Sequence, residues 1–98
     1  MRVATELMAK AARAALVTVG CLPEDLKTHA SVIGRFGLHM VKTGLVARDI
    51  GRALNDVQEI RQLADYLPAE VPADKAEWAV RQAQTFLDVV KGLPGVDW

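Results

Sequence analysis

The chain has 98 residues, of which 51% are hydrophobic, and its 12 basic side chains balance 12 acidic ones. That length suits one domain, spanning residues 1–98, with a single modest core. The cancelled charge removes any broad field that would draw the chain to nucleic acid or to a membrane surface.

Cys21 is the lone cysteine, which excludes an internal disulfide and a Cys-based metal site within one chain. No apolar run approaches the length of a membrane span. Arg2, Glu6, Lys10 and Arg13 recur at helical spacing near the start, a pattern unlike a secretory signal. These features predict a cytoplasmic protein with no membrane association.

The first helix is predicted from about Val3 to Val19, with Gly20 as a left-handed cap. At about 100° per residue, Arg2, Glu6, Lys10 and Arg13 fall on one narrow polar strip. Leu7, Met8, Ala11, Ala12, Ala15 and Leu16 belong to an apolar surface covering more than half of the circumference. A helix lying on one neighbour needs an apolar stripe of only about 100°, so this one needs cover on two sides. Leu7, Met8 and Leu16 are accordingly candidate interface residues.

"CLPEDLK" is a turn, with Pro23 able to open a short helical segment. Thr28 fits as the N-cap of a second helix from His29 to about Thr43, closed by Gly44. Its seam reads His29, Val32, Ile33, Phe36, Met40. Gly34 and Gly37 are poor helix formers and point to close passage of another backbone. The third helix runs from about Ala47 to Asp65 or Tyr66, ended by the Leu67-Pro68 pair. Its seam is Ile50, Leu54, Val57, Arg61, Ala64.

"PAEVP" is a loop, and Pro72 suits the start of a fourth helix ending at Gly92. Its seam is predicted as Ala76, Val80, Ala83, Leu87, Val90, with Trp78 on nearly the opposite side, either an exposed aromatic or, as the favoured reading, an interface anchor. The tail "LPGVDW" is predicted to be loose. No strand-like alternation occurs, so the fold class is all-α, an antiparallel bundle of four main helices.

Arg61 stands where the third seam asks for an apolar residue. A desolvated guanidinium needs a counter-charge, and Asp65 lies one turn further on the same side. Two readings stay open: a structural Arg61–Asp65 ion pair, or a guanidinium kept for bidentate binding of a phosphate. Tyr66 lies about 140° around the axis from Arg61. The two meet only if the helix ends between them or a second chain supplies one; otherwise Tyr66 is a helix-end tyrosine with a wet hydroxyl. His29, at a helix N-terminus, is either a satisfied core histidine or a neutral general base. His39 adds no separate signal, and two histidines without placed partners predict no metal site.

"KTH" at 27–29, "F…HMVKTG" at 36–44 and "R…ADY" at 61–66 together resemble the HEPN superfamily, above all its small stand-alone UPF0332-type branch. The likeness covers roughly residues 7 to 91. It implies an all-α bundle that homodimerises, needs no cofactor, and occurs in toxin-antitoxin systems opposite a nucleotidyltransferase-type antitoxin. Active members are metal-independent ribonucleases whose motif is an arginine followed after four to six residues by a histidine. Arg61 matches that arginine, but Tyr66 stands where the histidine is expected.

The catalytic candidates are therefore Arg61, Tyr66 and His29, with Arg61 and Asp65 as the phosphate site or ion pair. The resemblance also predicts that the chain begins inside the second family helix. Its wide apolar face would then be covered by a partner chain, or the chain is a shortened, inactive form. Two functions follow: a dimeric module that binds RNA or nucleotide phosphate, or a non-enzymatic protein that docks a nucleotidyltransferase or another partner.

Overall fold

The computed structural model describes residues 2–67 and 71–96. Four helices form the bundle: α1 (Arg2–Thr18), α2 (His29–Phe36), α3 (Arg48–Tyr66) and α4 (Ala73–Lys91). No strand occurs among the described residues. A 3-10 turn, Pro23–Asp25, follows α1, and a π-helical segment, Gly37–Val41, continues directly from α2.

The boundaries follow from local chemistry. Gly20 takes φ 97°, and Cys21 N–H donates to Leu16 O at 3.0 Å while Gly20 N–H donates to Val17 O at 3.1 Å. This is a Schellman stop, which only glycine adopts without strain. Thr28 caps α2 through a reciprocal box with Ser31. Arg13 Nε donates to Leu26 O at 2.9 Å, which fastens the 3-10 turn to α1.

α1 is the central helix and packs against α4, α2 and α3. The centre of its apolar surface is thus covered by its own chain: Met8, Ala11, Ala12, Ala15 and Leu16 are all buried. This corrects the expectation that a second chain covers Met8 and Leu16. Met8 and Leu16, at 1% and 0% exposure, are core residues that no partner reaches. Of the interface candidates on α1, Leu7 stays on the surface.

Further expectations change as well. The second helix was to be regular up to Thr43, but from Gly37 it widens into the π segment, where Lys42 N–H reaches back five residues to Gly37 O at 2.9 Å. Nothing lies within 4 Å of a side chain built at Gly34 or Gly37, so neither serves a close approach. The tight position is Gly51 of α3, where a Cβ would meet Val41 Cγ2 at 2.6 Å.

In α4 the buried stripe is Ala79, Ala83, Phe86, Val90, while Val80 is exposed and Ala76 and Leu87 are half-buried. Both stripes have helical spacing; they differ by a rotation of roughly 50°. Phe86 decides between them, because its ring packs on Phe36 with centroids 5.2 Å apart and buries more apolar area than Leu87 could. The rotation brings Trp78 to the flank of the helix, half-buried against the core.

Leu93 and Val96 also pack on the core, so that part of the tail is held. Residues 97–98 lie outside the described residues, as does the 68–70 part of the expected loop.

Candidate functional site

Arg61 sits on the inner side of α3 with its side chain 20% exposed. Its guanidinium faces two carboxylates: Asp65 Oδ2 on the same helix, 3.8 Å from Nε, and Glu6 Oε1 on α1, 3.6 Å from NH2. Both distances suit ion pairing but exceed hydrogen-bonding reach. Arg61 Nε is buried and has no hydrogen-bond partner. The cation is therefore electrostatically compensated while its Nε–H remains without an acceptor. The Asp65 pairing was legible from the i,i+4 spacing. Glu6 was not, because its place on the α1 strip becomes relevant only once α1 lies beside α3.

His29 opens α2, held by the Thr28–Ser31 box. Its Nδ1 lies 2.7 Å from Oε1 of Gln58, a residue of α3 only 8% exposed. Gln58 was missed by sequence reasoning; its one signal was a polar residue beside Val57 in a helix otherwise apolar on that side. Gln58 and Arg61 are three residues apart, so they share a face of α3. Thr5, next to Glu6 on α1, is 3% exposed and lines a void of about 10 Å³ with His29 and Gln58. A polar row thus runs through the junction of α1, α2 and α3: Thr5 and Glu6, His29, then Gln58, Arg61 and Asp65.

Tyr66 does not join this row. It is 84% exposed, and α3 continues unbroken from Arg61 through Tyr66. The option that the helix ends between them is removed; within one chain they stay about 140° apart. His39 lies apart in the π segment.

A second feature is a cleft of about 610 Å³ between α3 and α4. Ile60, Leu63 and Trp78 give it an apolar floor, and Glu59, Lys75 and Arg81 stand on its rim. Trp78 is thus turned into a cleft of its own chain. Among the described residues no cluster of His, Cys, Asp or Glu could hold a metal ion, and no helix is long and apolar enough to cross a membrane.

The fold and the row define a class: a small all-α bundle built around an arginine shielded between helices. The HEPN domain model matches residues 1–93. "Putative toxin MJ0605" of Methanocaldococcus jannaschii is 34% identical over 80 residues, covering 82% of this chain and 58% of that protein. The chain belongs to the HEPN domain family. It spans little more than half the length of that relative. No solved structure matches it.

Proposed function

We propose that this HEPN domain is a toxin-type module that binds RNA or nucleotide phosphate through Arg61, acting as a homodimer. The observation that supports it is the guanidinium whose Nε is buried without an acceptor beside carboxylates at 3.6 and 3.8 Å. A phosphate can take the fork bidentately while Glu6, whose side chain is 46% exposed, turns to water. The toxin description of the relative agrees with this reading.

Cutting would proceed without a metal: the ribose 2′-oxygen bonds to phosphorus, its proton passes to a base, and the P–O5′ bond breaks as the leaving oxygen takes a proton from water. Arg61 would stabilise the phosphorane charge, and His29 is the base candidate within the chain. Tyr66 could act only from a second copy.

The test is RNA binding by fluorescence anisotropy over a salt series. Wild type binds with a salt-dependent affinity. Arg61→Ala loses about tenfold or more, and Arg61→Lys keeps the charge without restoring the fork. Equal binding by wild type and Arg61→Ala rejects the site.

The cleft favours a second reading, a non-enzymatic protein docking a nucleotidyltransferase or another partner through Trp78. Co-purification that Trp78→Ala abolishes, with no salt-dependent RNA binding, would decide for it.

A further inference from the structure

The contact between His29 and Gln58 determines more than the position of a ring. Gln58 Oε1, 2.7 Å from His29 Nδ1, is an amide oxygen and can only accept, so the hydrogen must sit on Nδ1. We infer that Gln58 is a positioning residue: in the neutral imidazole it holds the hydrogen of His29 on Nδ1 and so leaves Nε2 as the acceptor for a ribose 2′-hydroxyl. This rests on the reading of Arg61 as an RNA-phosphate site and adds how that site tells RNA from DNA.

Several features make the hold firm. Gln58 is 8% exposed, so few waters compete for its amide. The void it shares with His29 measures about 10 Å³, at the lower limit for one water. The Thr28–Ser31 box fixes the backbone of α2 at His29. The His29 side chain bonds Gln58 through Nδ1, and the residue is half-buried.

Gln58 and Arg61 are one turn apart on α3, about 4.5 Å along the axis, and share a face of it. In a neutral imidazole, the hydrogen bond made by one nitrogen decides the role of the other. The 2′-hydroxyl is the group by which a protein separates RNA from DNA.

The experiment has two arms on the full chain. Imidazole 15N–1H correlation spectra read the tautomer directly, with His39 as internal reference. Wild type carries the hydrogen on Nδ1. Gln58→Met, of similar shape but without an acceptor, lowers the Nδ1–H to Nε2–H ratio about fivefold.

The second arm compares affinity for a short oligouridylate with that for its 2′-deoxy counterpart. Gln58→Met lowers this preference about fivefold. Arg61→Ala weakens both oligomers alike, so a failed phosphate site is seen separately from a failed tautomer lock. A wild-type hydrogen on Nε2, or a Gln58→Met chain unchanged in tautomer and preference, overturns the inference.

Discussion

Glu6 of α1 stands 3.6 Å from Arg61 of α3, and this contact joins the start of the chain to the inner face of its third helix. The arginine meets Asp65 as well, so one cation lies between two anions on different helices. Both carboxylates are more than two-fifths exposed while Arg61 is 20% exposed. Solvent screens such pairs, and each contributes well under about 1 kcal/mol. The arrangement is therefore a weak reason for stability, in keeping with the proposal that Arg61 serves recognition.

That balance yields the first prediction. Arg61→Met keeps the packed stem and removes the unsatisfied Nε. Its urea unfolding free energy should lie within about 1 kcal/mol of wild type. A loss above about 3 kcal/mol would mean that the ion triad is structurally required.

Thr28 carries the second. Its Oγ1 accepts from Ser31 N–H at 3.1 Å, and Thr28 N–H donates to Ser31 Oγ at 3.3 Å. Thr28→Ala should cost about 1 kcal/mol, a melting point lower by about 4–8 °C for a domain of this size. An unchanged melting point would show that the box contributes nothing.

Gly51 gives a prediction of coupling. A methyl there meets Val41 Cγ2 at 2.6 Å, on a β-branched side chain that yields little. Helix propensity favours alanine by about 1 kcal/mol, but overpacking costs about 1–3 kcal/mol. Gly51→Ala should therefore destabilise, and adding Val41→Ala should recover part of the loss. A double-mutant cycle measures this; simple additivity would contradict the contact.

The orientation of α4 is open to a direct comparison. Phe86 is fully buried and Leu87 half-buried. Phe86→Ala should cost about 3–5 kcal/mol, a large share of a small domain's stability, and Leu87→Ala about 1 kcal/mol. Comparable losses from the two in thermal melts would argue for the other face.

Much of the fold could be read from local signals. Gly20, Thr28 and Pro72 mark helix ends because caps depend on neighbouring residues alone. The seam Val32, Phe36, Met40 was readable because these apolar positions recur without a competing stripe. In α4 two stripes share Ala83 and Val90, and local periodicity could not choose between them. The Phe36–Phe86 contact chose.

The polar row divides in the same way. Arg61–Asp65 is legible because one helix sets its spacing, whereas Glu6 and Gln58 are separated from their partners by tens of residues. The wide apolar face of α1 was visible in the sequence, but what covers it was not, since periodicity records how much surface must be buried and carries no address. The sequence by itself determined an all-α chain, its caps, and an arginine needing an anion. Which helices supply that anion, and which residue meets the His29 ring, was decided only when α1, α2 and α3 were packed together, because burial and hydrogen-bond geometry belong to neighbours in space.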